Sequence, residues 1–476
     1  MIHFERFKLE NGLTVLFHKE ASTPMAVVNL LYDVGARDES EEKTGFAHLF
    51  EHLMFGGSVN IPDFDGPLQA AGGESNAFTS NDITNYYDVL PAHNLDTALW
   101  LESDRMLSLA FTDKSLEVQR NVVIEEFKQR YLNQPYGDVW LELRPLAYTK
   151  HPYKWATIGK EIKHIEDAKM SDVKAFFKKH YHPSNCILCV IGNFELDYVK
   201  ERVDHFFGSI PKAKKSARIL PLEPAQDRFK SKTIVRNVPA DAFYYAFKMP
   251  ERKNPGYYLA DLLSDIMGRE KVSKMYVDLI KKQKLVSEIN AYITGSMDEG
   301  LFIITGKLNE GKSFADLDKE IWKIIAHYKT TLISKKELEQ IKIKLRTARA
   351  FQDQGLLNRA MNLSFFELLG DANGINEEQE IYQSIQAEDL RTFANQLFAK
   401  KNGVLLKVKK KKNEMGEDTK TAPTKPTTKP GTKPQRPAHP GKNPNPGENP
   451  APKAKKPSAE ETKDKVIDVI LNLLQK

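Results

Sequence analysis

The composition of this chain breaks at Lys409, and the break limits where it can fold. Residues 409–457 hold eleven of the chain's 25 prolines, thirteen Lys or Arg against four Asp or Glu, and almost no large apolar side chains. Such a segment cannot offset its ordering entropy by burial, so a disordered Lys/Pro-rich linker is expected there. The last stretch, 458–476, spaces Val466, Ile467, Val469, Ile470, Leu473 and Leu474 as a short amphipathic helix. It reads equally as a weak terminal helix or as a tethered docking helix. All other packing must come from the first 408 residues, too many for one compact core.

Within those residues one half echoes the other. Ser171-Asp172-Val173-Lys174-Ala175-Phe176 precedes an apolar run at 185–192, and Glu388-Asp389-Leu390-Arg391-Thr392-Phe393 precedes a similar run at 403–408. Ser171 and Glu388 stand 217 positions apart, close to half the folded length. Duplication of one unit explains the echo; so does coincidence, since acidic helix starts are common. The expected fold class is α+β: two homologous α/β-sandwich domains, with mostly antiparallel sheets and helices packed on them. The first spans 1–212 and the second 233–408, joined by a charged, turn-rich connector at 213–232 that holds Pro221 and Pro224. Asn11-Gly12 signals a hairpin, 26–32 a strand, and 43–55, 95–109 and 114–132 helices.

The formal charge of +6 belongs to the basic tail, and the remainder is slightly acidic. No clustered Lys/Arg face suggests nucleic acid. The charged start Met1-Ile2-His3-Phe4-Glu5-Arg6 argues against a secretory leader, and no run is long enough for a membrane span. Cys186 and Cys189 lie three apart on a predicted strand and so point to opposite faces, where they cannot pair. A reducing, cytoplasmic setting is expected.

The chemistry concentrates in His48-Leu49-Phe50-Glu51-His52. Four residues apart on a helix, His48 and His52 share one face and can reach one zinc ion. Glu51 borders that ion without needing to bind it, the place of a general base that takes a proton from a water at the metal. Phe46, Leu49, Phe50, Leu53, Met54 and Phe55 make the helix a buried one. Such a motif arises by chance in roughly one sequence in fifty of this composition, so a third ligand is required.

Val118-Gln119-Arg120-Asn121-Val122-Val123-Ile124-Glu125-Glu126-Phe127 lies on another predicted helix. With it, the chain resembles the pitrilysin, insulin-degrading enzyme and mitochondrial processing peptidase family, the inverzincins. The resemblance covers residues 1 to about 408 and implies a zinc metalloendopeptidase subunit, half of a clamshell, with one Zn2+ per chain. It places the third ligand at Glu126, 74 residues after His52, with Glu125 as the rival one position earlier. Many relatives carry a supporting Glu where this chain has Gln119, which adds no negative charge. The passage Gly72–Tyr87 resembles the family's substrate-pairing strand, which implies backbone contacts to peptide from Asn76, Ala77 and Phe78.

The resemblance also exposes a gap. Relatives supply an Arg and a Tyr seven residues later from the second half, but Ile280 and Ser287 stand at those places here. Such donors stabilise the oxyanion, and losing one costs about a hundredfold or more in turnover. Some relatives are heterodimers with zinc on one subunit and the Arg/Tyr pair on the other. The expected partners are therefore a peptide substrate and a paralogous subunit, with a homodimer possible. The alternative is a non-catalytic structural or peptide-binding subunit.

Overall fold

The computed structural model describes residues 1–269 and 271–411. The helix expected at 458–476 and all but the first three residues of the 409–457 linker lie outside the described residues. Among the described residues no helix is long and apolar enough to cross a membrane.

Two sheets carry the fold. The first comprises β1 (Glu5–Lys8), β2 (Thr14–Lys19), β3 (Met25–Tyr32), β4 (Glu74–Thr79), β5 (Thr84–Pro91) and β6 (Cys186–Gly192), in the order β1-β2-β6-β3-β5-β4. The second comprises β7 (Lys230–Arg236), β8 (Ala242–Met249), β9 (Val286–Ile293), β10 (Gly300–Leu308) and β11 (Gly403–Lys410), in the order β7-β11-β8-β10-β9. Without β1 the two orders correspond strand for strand. Each sheet has one parallel pair in the same place, β2 with β6 and β7 with β11, and the remaining pairs are antiparallel.

The spacing repeats as well. Met25 and Ala242 open β3 and β8, Cys186 and Gly403 open β6 and β11, and Met170 and Ala387 open the helices before them, each pair 217 positions apart. These observations favour duplication over coincidence as the origin of the echo. The fold is an α+β arrangement of two related halves. Residues 211–229, between them, form neither helix nor strand, and β7 takes up the last three positions of the expected connector.

Central strands β3 and β6 read as apolar runs, interrupted only by Asn29 in β3, because both their faces are covered. Val28, Leu30, Tyr32, Cys186, Leu188 and Val190 pack under the first half's own helices. On the other face Val27, Leu31, Ile187, Cys189 and Ile191 meet Ala360, Leu363 and Phe366 from the helix Leu356–Leu369, which comes from the second half. The exchange is reciprocal. Val139, Leu143 and Ala147 of the helix Val139–Ala147 leave the first half to cover Ala242, Ala246, Val404 and Leu406 of the second sheet. The two crossing helices also begin 217 positions apart. Cys186 and Cys189 are free, buried and assigned to opposite faces of their sheet.

Polar contacts stitch the seam. Arg37 bridges Asp82 (3.3 Å) in its own half and Asp298 (2.8 Å) in the other. Glu223, in the connector, accepts the backbone N–H groups of Thr149, Lys150 and His151 at 2.8–2.9 Å. Burial alone would raise the Glu223 pKa, but those hydrogen bonds outweigh it and hold the carboxyl at about 2, against an ordinary 4.5. The folded-state pKa is depressed, so Glu223 contributes stability above pH 4.5 that is lost as pH falls toward 2. Allowing for solvent screening, about 1–2 kcal/mol should disappear across that window. Unfolding midpoints measured from pH 6 to pH 2.5 should fall less steeply for Glu223→Gln than for the wild type. Parallel curves would assign the acid loss elsewhere.

Candidate metal centre

The motif helix, Phe46–Leu53, is fixed at its start by a residue far from the motif. Gly45, at φ +86°, turns the chain into the helix, and a Cβ there would come within 2.6 Å of the Ile158 carbonyl oxygen. The Glu39 carboxylate lies across this end and accepts the N–H groups of Gly45 (2.9 Å) and Ala47 (2.8 Å). These are donors that a helix cannot satisfy internally, and their partial positive charge suits an anion. Burial pushes the Glu39 pKa well up despite both bonds. The apolar side of the helix is locked by Phe50, whose ring packs within 4.4–6.5 Å, centre to centre, of Phe111, Phe176, Phe177 and Tyr181.

The opposite side presents both histidines. His48 Nε2 and His52 Nε2 lie 3.3 Å apart, and Glu126 Oε2 stands 3.6 and 3.5 Å from them. Among the described residues this is the group of His, Cys, Asp and Glu side chains that could converge on one metal ion. Ligand atoms 2.0–2.1 Å from a tetrahedral ion stand about 3.3–3.4 Å from one another. The triangle therefore fits zinc with a small contraction and leaves a fourth position open. The set of two imidazoles and one carboxylate is also one that zinc favours.

Glu126 belongs to the helix Asp113–Phe127. Its neighbour Glu125 points away, exposed and paired with Lys128 at 2.7 Å. The helix expected to run to 132 instead widens into a π-type turn over Lys128–Leu132. That turn carries Arg130 and Tyr131 into the wall of the same cavity. Arg130 Nη1 forms an ion pair with the other oxygen of Glu126, Oε1, at 3.1 Å. Gln119 lines the cavity, but the cation that pairs with Glu126 from this wall is Arg130.

Glu51 also faces the cavity, and Thr79 Oγ1 donates to its Oε2 at 2.6 Å. The electrostatics separate the groups. Burial raises the Glu51 pKa against the opposing pull of His52 and Thr79. Burial lowers that of His48 to about 4. Burial also works against a charged His52, but the hydrogen bond to Glu126 and the charge of Glu51 carry its pKa up. Glu126 is held at about 2, burial being outweighed by the His52 bond and the nearby charges of His48 and Arg130.

The cavity, about 420 Å³, is walled on one side by β4, the edge strand of its sheet. Asn76 and Ala77 lie along that wall, and Asn76 Oδ1 accepts the Ala77 N–H at 2.8 Å. Phe78 touches the cavity but packs into the second-face core with Leu31 and Ile83. Neither Ile280 nor Ser287 lines it. Ile280 packs against the second half's core, and Ser287 is exposed on β9 with its hydroxyl toward the Lys307 carbonyl. Tyr292 sits beside the crossing helix Val139–Ala147. Three contributors were not singled out from the sequence: Glu39, Thr79 and Arg130. Only Arg130 had a local signal, four positions after Glu126 on a helix.

Replacing Glu39 by Ala strands two buried N–H donors and should lower the unfolding free energy by about 2–4 kcal/mol. Urea unfolding of the variant tests this; a loss below 1 kcal/mol would show that water replaces the cap.

Residues 14–158 match the family model described as Insulinase (Peptidase family M16), and 167–345 match the Peptidase M16 inactive domain. The chain is 30% identical over 400 residues to a protein named zinc protease PqqE from Helicobacter pylori, covering 83% of this chain and 90% of that one. It is 24% identical over 363 residues to the mitochondrial-processing peptidase subunit beta of Saccharomyces cerevisiae, 72% of this chain and 77% of the other. The crystal structure of a protease from Helicobacter pylori superposes with a TM-score of 0.82 at 29% identity, covering 86% of this chain and all of that one. With both halves matched in order and a two-domain fold shared along their length, this chain belongs to the insulinase family of peptidases, M16.

Proposed function

We propose that this chain is the zinc-bearing subunit of a metalloendopeptidase acting on peptides or unfolded segments, and that a paralogous subunit completes it. The observation that carries the reading is the triangle of His48 Nε2, His52 Nε2 and Glu126 Oε2 beside Glu51. One zinc ion held there would act as a Lewis acid on water and on the scissile carbonyl. Glu51, with Thr79 fixing one of its oxygens, takes the proton from the attacking water and later delivers it to the leaving nitrogen. The free edge of β4 pairs with extended substrate, and peptide binding at Ala77 displaces the local bond that its N–H donates to Asn76 Oδ1.

The need for a partner rests on what the cavity wall lacks. The second half brings neither Ile280 nor Ser287 to it, and neither side chain could replace an Arg or a Tyr as an oxyanion donor. A second subunit facing the open cavity could supply both. Homodimers would repeat the same gap, so a heterodimer is preferred.

The purified chain should bind one zinc ion, and His52→Ala should lose it. Mixed with its paralogue, the wild type should cleave an unfolded reporter peptide. Glu51→Gln should retain zinc and lose a factor of about 10²–10⁴ in turnover. Full activity of the lone chain would overturn the heterodimer. A wild type that takes up no zinc would favour a structural or peptide-binding subunit.

A further inference from the structure

The three ligand groups differ in how they are held. Both histidines ride on one short, buried helix whose apolar face is locked by aromatic packing. His48 Nδ1 is buried without a hydrogen-bond partner among the described residues, so no carboxylate or carbonyl steadies that ring from behind. Glu126 comes from a separate helix and sits just before the point where that helix widens. Its Oε2 faces the two imidazoles, while its Oε1 is paired with Nη1 of Arg130 at 3.1 Å. Arg130 is the one Lys or Arg among the described residues lining this cavity. Such wide turns inside helices recur at functional sites because they redirect side chains that a regular helix would place elsewhere.

We propose that Arg130 is a positioning residue of the zinc site: by holding Oε1 of Glu126 it presents Oε2 alone to the ion. The inference rests on the zinc reading above. It gives Arg130 the outer support that the resemblance assigns to position 119, where this chain has only Gln. A carboxylate left free can grip an ion through both oxygens, filling the position that water and substrate need. It can also swing away on its flexible stem. A cation held against one oxygen opposes both outcomes.

One effect works against this role, because a guanidinium repels an incoming cation. Two features decide which effect wins. The Arg130 side chain is 46% exposed, so solvent weakens its charge at the distance of the ion, whereas its contact with Oε1 is direct, at 3.1 Å. The Glu126 carboxylate also lies between Arg130 and the imidazoles, so the ion meets the anion first. A lysine carries the same charge on a more flexible stem without the planar group's fixed direction, and should restore the effect only in part.

The test uses the full chain as wild type, R130M, R130A and R130K. Zinc affinity is read by competition with a chromophoric chelator. Coordination is read from the visible absorption of the Co2+-substituted protein. Unfolding of the metal-free forms serves as the control for folding. R130M and R130A should bind zinc about ten- to a hundredfold more weakly. Their cobalt bands should lose intensity as a second carboxylate oxygen joins the metal, with metal-free unfolding midpoints unchanged. R130K should fall between them and the wild type. Wild-type affinity and spectrum in both neutral variants would overturn the inference, and so would tighter zinc binding, which would mark Arg130 as a merely repulsive charge. A wild type that binds no zinc would overturn the site reading and this inference together, whereas a binding wild type with indifferent variants would remove only the inference.

Discussion

Each sheet in this fold has a second face that its own half does not cover, and the exchange of helices between halves is what makes both sheets stable. Val27, Leu31, Ile187, Cys189 and Ile191 would be a wet apolar surface without Leu356–Leu369 across them. The second sheet stands in the same relation to Val139–Ala147. Burying a large aliphatic side chain is worth about 1.5–3 kcal/mol, so exposing either face would cost about as much as a domain's whole margin. Neither half should therefore fold independently, although each looks like a domain in outline. The centre of the first seam is polar and fully matched: Asn29 and Asn85 exchange amide bonds, and Asn29 also donates to Ser364 of the crossing helix. Matched groups of this kind fix which helix docks and in what register, because a shifted helix would leave buried amides unpaired.

The exchange also shapes the site. After the Glu126 helix the chain leaves the first half, forms Val139–Ala147 on the second sheet, and returns to place Thr157 and Ile158 in the cavity wall. Ile158 is the residue whose carbonyl oxygen confines Gly45, the entry to the motif helix. The Arg37 bridges to Asp82 and Asp298 pin the β4–β5 turn against the second half. The second half thus contributes no side chain to the metal triangle yet braces three of the elements around it.

What the sequence disclosed follows from which signals are local. The His48–His52 spacing, the 217-residue echo and the opposite-facing cysteines each depend on one periodicity, and each corresponds to a feature of the fold. The choice of Glu126 over Glu125 needed a resemblance, since both lie on one helix and only tertiary packing turns one toward the histidines. Glu39 was illegible because it caps a helix across a loop rather than at the adjoining N-cap position, where a sequence search would look. The crossing helices were illegible for a related reason. Their apolar faces say that something covers them, but amphipathicity does not say which sheet.

The electrostatic state of the triangle bears on how an ion could enter it. Metal ligation needs neutral imidazoles and an ionised carboxylate. His48, lowered to about 4 by burial, and Glu126, held at about 2, already meet that condition near neutral pH. At His52 burial works against the charged ring, but Glu126 and Glu51 raise its affinity for a proton. A proton at His52 and an entering cation would compete for the same nitrogen and the same carboxylate oxygen. Arg130 bears on the competition from the far side of Glu126, since its positive charge disfavours a charged His52. That charge acts against an entering cation as well, so any gain for the metal must come from a steadied carboxylate rather than from a loosened proton.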